Sequence, residues 1–221
     1  MKVLVFGSTG GSGRAAVEHL VAQGHEVSAF VRRAAGAKVP AGVKLMEGDV
    51  MQREDVDGAV QGQDAVIVTL GIRENPLRVR LFGPARTPLD VRSTGTRHVI
   101  EAMRRHSVPK LVVQTSYGVG DTRDKLGMID KLFFELLLKP QIADTELQES
   151  DVTASGLDWV VVQPVHLTDT LDDRMPFIST AGETAQMKVS RNSVGRFLAQ
   201  AAVTQEYIGK SVALSGASAH N

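Results

Sequence analysis

The chain has no cysteine among its 221 residues, which excludes disulfides, thiolate catalysis and cysteine-ligated metals. It has no net charge, with 25 Lys and Arg against 25 Asp and Glu, so electrostatics give no reason to expect nucleic acid or an anionic membrane as partner. No apolar run reaches membrane-spanning length, and the strand-like opening segment leaves no room for a signal peptide. The expected setting is cytoplasmic. Internal repeats and low-complexity tracts are also missing. His19, His25, His98, His106 and His220 show no metal-ligand spacing, so no metal is expected. What remains is ordinary for a globular protein with a real core: 43% apolar and 23% charged residues, in a length that suits one domain with at most a small cap.

The strongest signal that is present lies in the first twenty residues. An apolar, β-prone run stops at Gly7, Gly10 and Gly13 follow at a spacing of three, and an amphipathic helix begins at once. That order gives each glycine a task. Gly7 permits the tight turn off the strand, Gly10 lets backbone approach a pyrophosphate, and Gly13 lets the helix pack closely on the sheet. Unpaired N–H groups at the helix start, with the positive end of its dipole, then hold phosphates. The spacing is Gly-x-x-Gly-x-x-Gly, not the commoner Gly-x-Gly-x-x-Gly. A glycine-rich turn without a ligand is the alternative, and the strand–turn–helix context argues against it. The pattern predicts a dinucleotide site.

Which dinucleotide is decided after the next strand. Gly24 ends the first helix as glycine does at C′, and Glu26 to Val31 alternates as a second strand. Folds that prefer NAD place an acid near here to accept from the ribose hydroxyls. This chain places Arg32 and Arg33 there. Two guanidinium groups suit a 2′-phosphate, whereas a solvated basic turn would be the bland explanation. The expected cofactor is NADP(H).

Strands and helices alternate further along, which predicts a Rossmann-like, doubly wound parallel sheet in a single α/β domain over 1–221. Val43 to Met46 reads as a third strand, Arg53 to Gln61 as a short helix, and Asp64 to Leu70 as an apolar fourth strand ending at Gly71. Thr94 to His106 has helical spacing, Lys110 to Gln114 is the fifth strand, Asp158 to Gln163 the sixth, and Ser211 to Ser215 the seventh. Two stretches lack this regularity, residues 73–92 and 165–188. Ligands in such sheets lie beyond the carboxyl ends of the strands, so both stretches are expected to wall a substrate pocket. Leu132 to Leu138 is apolar on nearly all sides and suits either a core helix or a partner or dimer helix.

At this point the residues carry a family resemblance. Gly7-Ser-Thr-Gly-Gly-Ser-Gly13, Val31-Arg32-Arg33, Gly48-Asp49-Val50, the strand Asp64–Gly71, Thr115-Ser116 and Ser155–Pro164 fall in order over nearly the whole chain. Together they resemble the atypical short-chain dehydrogenase/reductases with an NAD(P)H-binding domain, most of all the NADPH-dependent flavin reductase/biliverdin-IXβ reductase branch and its bacterial relatives. The resemblance implies that Gly7, Ser8, Thr9, Gly10, Ser12 and Gly13 cradle the pyrophosphate. It implies Arg32 at the 2′-phosphate with Arg33 assisting, and Asp49 and Val50 beside the adenine. Leu70, Gly71 and Arg73 would lie along the middle of the cofactor, and Thr115, Ser116, Pro164, Val165 and His166 around the nicotinamide. Some of these have plainer readings. Asp49 is also a good helix cap before Arg53, Arg73 an exposed loop charge, and His166 a structural histidine.

One departure bears on the chemistry. Standard short-chain dehydrogenases pair a tyrosine with a lysine four residues later, which lowers the phenol pKa. Here Tyr117 is followed at that spacing by Asp121, and Lys125 lies eight residues on. The relay is absent as a motif. An acceptor needing little acid catalysis is therefore expected, such as a flavin, quinone or tetrapyrrole, with Ser116 and Tyr117 at the reacting end. The alternatives are a regulatory protein that senses NADP(H) without turnover, and a carbonyl reductase or epimerase-type enzyme using Tyr117. The expected partner is a small-molecule acceptor, met by a monomer or homodimer.

Overall fold

The N-terminal apolar run forms β1 (Lys2–Phe6) in the computed structural model, which describes residues 1–72, 87–125 and 139–217. After it come α1 (Gly11–Ala22), β2 (Glu26–Val31), β3 (Lys44–Glu47), α2 (Arg53–Val60) and β4 (Ala65–Val68). Next are α3 (Val91–Arg105), β5 (Lys110–Gln114), a 3₁₀ turn (Gly120–Lys125), α4 (Lys139–Thr153) and β6 (Asp158–Pro164). Three short strands follow, β7 (His166–Thr168), β8 (Phe177–Ser179) and β9 (Lys188–Ser190), then α5 (Arg191–Val203) and β10 (Lys210–Ser215). Eight strands form the central sheet in the order β3-β2-β1-β4-β5-β6-β10-β8, and β7 pairs with β9 in a two-stranded ribbon.

Both faces of the sheet are covered, which is why its strands are apolar at consecutive positions. On β1, Val3 and Val5 join Ala16, Val17 and Leu20 of α1 and Val194, Phe197 and Leu198 of α5. Leu4 and Phe6 face the other way, toward Val56 and Val60 of α2 and Val99 and Met103 of α3. The chain runs outward from β1 to β2 and β3, then returns across β1 to β4. That reversal opens a crevice beyond the carboxyl ends of β1 and β4.

The doubly wound Rossmann-like architecture is as the sequence predicts, with differences at its ends. The sheet is parallel up to β10, where β8 adds an antiparallel edge. That strand lies inside 165–188, which is therefore partly regular: β7 and β8 fall within it and β9 begins at its last residue. Strands of three residues carry too few alternations to be recognised by period. The helix expected from Thr94 starts three residues earlier, so Val91 and Arg92 belong to α3 and not to the preceding irregular stretch. The fourth strand closes at Val68 and not at Leu70. Two helices, α4 and α5, have no counterpart in the sequence reading. The apolar run Leu132 to Leu138, and most of 73–92, lie outside the described residues.

Candidate functional site

The glycine turn sits at the crevice. Gly7 has φ +77, and a Cβ there would stand 2.5 Å from the Thr69 carbonyl oxygen at the end of β4. A Cβ on Gly13 would stand 2.4 Å from the Gly7 carbonyl oxygen. Both positions therefore require glycine before any ligand is considered. Gly10 is different: it is the N-cap of α1 with φ −72 and ψ 161, and its N–H donates to the Gly7 carbonyl at 2.8 Å. No side chain caps α1 and no acid occupies its first turn. A helix start of this kind can receive an anion.

Around it opens a cleft of about 710 Å³. From the expected cofactor residues it brings together Gly7, Thr9, Gly10, Ser12, Gly13, Arg32, Asp49, Val50, Leu70, Gly71, Thr115, Pro164, Val165 and His166, with Ser116 and Tyr117. Ser8 and Arg33 are not among its lining residues. Ser8 is fully buried and donates its hydroxyl to the Phe30 carbonyl at 3.0 Å, so its side chain braces β2. Arg33 is exposed one residue beyond Arg32. Arg73 lies outside the described residues. The backbone carrying Arg32 is held from both sides, by Gly48 N–H on the Val31 carbonyl and by Ala34 N–H on the Glu47 carboxylate. Asp49 does not cap α2, whose N-cap is Gln52. Its carboxylate accepts the Met51 N–H at 3.0 Å instead, shaping a turn that faces the cleft.

The far end of the cleft rests on a buried polar network. Thr115 donates to Glu149 at 2.5 Å, and Gln163 donates to the same carboxyl at 3.1 Å and to the Val119 carbonyl at 2.9 Å. Burial pushes the Glu149 carboxyl up, and the bonds from Thr115 and Gln163 pull it part of the way back. Tyr117 is 5% exposed, and its hydroxyl donates to the Gly182 carbonyl at 3.0 Å. Burial also raises its pKa, which makes the phenol a weaker acid. Lys125 reaches the adjacent Ala181 carbonyl. The tyrosine and the lysine thus meet neighbouring carbonyls in the segment between β8 and β9 and hold it against the chain that follows β5. Ser116 is half-buried and its hydroxyl donates to the Tyr117 carbonyl at 3.2 Å.

A family model described as NAD(P)H-binding matches residues 7–205. The chain belongs to that NAD(P)H-binding family. An uncharacterized chloroplastic protein of Arabidopsis thaliana is 27% identical over 212 residues, covering 93% of this chain and 73% of its own. Among solved structures, the oxidoreductase ylbE of Lactococcus lactis superposes with TM-score 0.81 at 20% identity, covering 98% of this chain and 91% of that one. An anaerobillin reductase, ChuY of Escherichia coli O157:H7, superposes with TM-score 0.77 at 21% identity over the full length of both. These solved structures share this chain's Rossmann-like fold, and NAD(P)H is the cofactor class of its family. Bound in the crevice, it would supply a hydride donor, and the glycine turn and uncapped α1 fit its phosphates.

Other members of the cleft were not legible as site residues in this NAD(P)H-binding chain. Arg92, the second residue of α3, donates to the Leu70 carbonyl at 2.8 Å, while its backbone N–H reaches Asp144. Burial lowers its pKa and Asp144 raises it again. Arg191 opens α5 and lies against Gly11. Thr87, Pro88 and Met187 line the cleft from the two stretches expected to wall it. A basic residue at the start of a helix is the one signal that marked Arg92 and Arg191, since a cation is disfavoured there unless an anion is near. Among the described residues no group of acids and histidines suits a metal ion, and no helix is long and apolar enough to cross a membrane.

Proposed function

We propose that the protein is an NADPH-dependent reductase that delivers hydride to a flavin-like or other planar conjugated acceptor, such as a quinone or tetrapyrrole. The observation that carries this reading is the Tyr117 hydroxyl, whose proton is committed to the Gly182 carbonyl. Carbonyl reduction needs a positioned acid for the developing alkoxide. A conjugated ring system delocalises the incoming charge itself, so the protein need only hold two flat rings in contact. The walls supplied by Thr115, Ser116, Pro164, Val165 and His166 suit that task. The likeness to an anaerobillin reductase supports a tetrapyrrole within this acceptor class, at the level of fold.

Following NADPH absorbance with a panel of flavin, quinone, tetrapyrrole and ketone acceptors tests the reading. Flavin-type acceptors should turn over and simple ketones should not. Tyr117→Phe should keep the flavin rate well above the 10²–10⁴-fold loss, roughly, that removal of a general acid causes. A collapse into that range, with ketones as the better substrates, overturns the proposal in favour of a carbonyl reductase. Tight NADPH binding with no acceptor consumed leaves a cofactor-sensing protein without turnover.

Preference for the 2′-phosphate rests on Arg32 at the end of β2. A charge-assisted bond to phosphate contributes about 1.5–3 kcal/mol, so Arg32→Ala should weaken NADPH by about one to two decades. NADH, which lacks that phosphate, should bind almost as before. Equal losses for the two cofactors in calorimetric titration would remove Arg32 from the 2′-phosphate.

A further inference from the structure

Arg191, the first residue of α5, carries its charge to a place that only an anion makes favourable. Its stem crosses the first residue of α1: a Cβ on Gly11 would stand 2.2 Å from Arg191 Cδ and 3.1 Å from Nε. The starts of α1 and α5 therefore converge on one guanidinium. Neither helix has an acid in its first turn, and each start adds positive partial charge. The ion-pair partner, Asp169, lies 2.8 Å from Nη1 but is 88% exposed, against 34% for Arg191. So solvated a pair offsets little of that positive potential. Arg191 lines the same cleft as Gly7, Gly10 and Ser12.

We infer that Arg191 is a cofactor-holding residue, supplying a guanidinium to the dinucleotide pyrophosphate beside the N–H groups of α1. The inference rests on the NADPH reading above and adds to it a residue far from the glycine turn in sequence. It also gives Gly11 a reason. The glycine turn has a fourth glycine that the three-residue spacing does not use, and its missing Cβ is the space that the Arg191 stem occupies. The same helix also holds the segment after β7. Ser190 and Ser193 donate their hydroxyls to the Asp172 carbonyl, and Arg196 donates to the Asp173 carbonyl. Cofactor capture and the segment after β7 thus share one anchor.

Arg191→Met tests this, because methionine keeps much of the unbranched stem over Gly11 and removes the charge. NADPH, NADH and adenosine 2′-monophosphate, the last of which lacks a pyrophosphate, are titrated calorimetrically into wild type and variant. NADPH and NADH should both weaken by about 10–100-fold, the effect of losing a charge-assisted bond. Adenosine 2′-monophosphate should bind within about 2-fold of wild type. Arg191→Lys keeps a point charge without the fork and should fall between wild type and the methionine variant; it also serves if Arg191→Met lowers the melting temperature of the apo protein. NADPH affinity unchanged in both variants, or an equal loss for adenosine 2′-monophosphate, overturns the assignment. Failure of the wild type to bind NADPH overturns the proposed function instead.

Discussion

Gly10→Val severely weakens NADPH binding while leaving a folded protein; this is the expected result of placing a branched side chain at the N-cap of α1. The backbone there is extended, with φ −72 and ψ 161, a conformation that valine adopts readily. The N–H of residue 10 can still reach the Gly7 carbonyl, as it does now at 2.8 Å. What changes is the mouth of the anion cradle, since Gly10 lines the cleft. Added bulk keeps phosphate away from N–H groups that no side chain caps. Overpacking of this kind costs on the order of 3 kcal/mol, or roughly a 100-fold loss of affinity. Fluorescence titration with NADPH, beside a thermal melt of the apo protein, checks both halves. Normal binding by a folded Gly10→Val protein would reduce the turn to a structural device.

Gly13→Val should do the opposite, damaging the fold before any cofactor is added. Its Cβ would meet the Gly7 carbonyl oxygen at 2.4 Å and Thr69 Oγ1 at 2.5 Å. Neither neighbour can retreat easily. Gly7 is held in a turn at φ +77, and Thr69 is fixed by its N–H and its hydroxyl, both bonded to the Phe6 carbonyl at 3.0 Å. Valine would force α1 off the carboxyl ends of β1 and β4. A cost of about 4 kcal/mol or more belongs to this kind of core overlap, and at 2–4 °C per kcal/mol it lowers Tm by roughly 10 °C. An unchanged melting curve would show that α1 can lift away without penalty. The two variants together separate the glycine that serves the ligand from the glycine that serves the sheet.

The glycine turn, the central strands and the basic end of β2 were legible because their signals are local. The strand Lys110–Gln114 was readable from its own five letters, since the consecutive apolar residues Leu111, Val112 and Val113 suit a strand buried on both faces. Arg32 was readable for the same reason, standing directly after such a strand. The remainder depends on contacts far apart in sequence. Gln148, wholly buried, bonds Thr96 across 52 residues, and nothing in either neighbourhood announces the pair. Helix α4, which carries Gln148 and Glu149, mixes buried polar with exposed apolar residues such as Leu147, so its period gives no clear face. Arg191 entered the cleft because α1 and α5 pack against each other, with a Cβ on Gly195 standing only 2.4 Å from that of Ala15. Asp49 was ambiguous between capping and lining because both uses favour a short acid in a turn. Only the position of Gln52 at the helix start removed the first.

The ends of the central sheet have a consequence for how copies of this protein can meet. One border is β3, four residues long with Lys44 and Glu47 exposed at its ends. The other is β8, three residues long, preceded by Pro176 and paired to β10 over Phe177 to Ser179. Long flat borders invite strand-by-strand addition of a neighbour, whereas short ones bearing charge or proline discourage it. The antiparallel β8 thus covers Ala213 to Ser215 of the longer β10. Among the described residues, both borders of the central sheet are therefore short strands, which discourages another copy from continuing the sheet strand by strand.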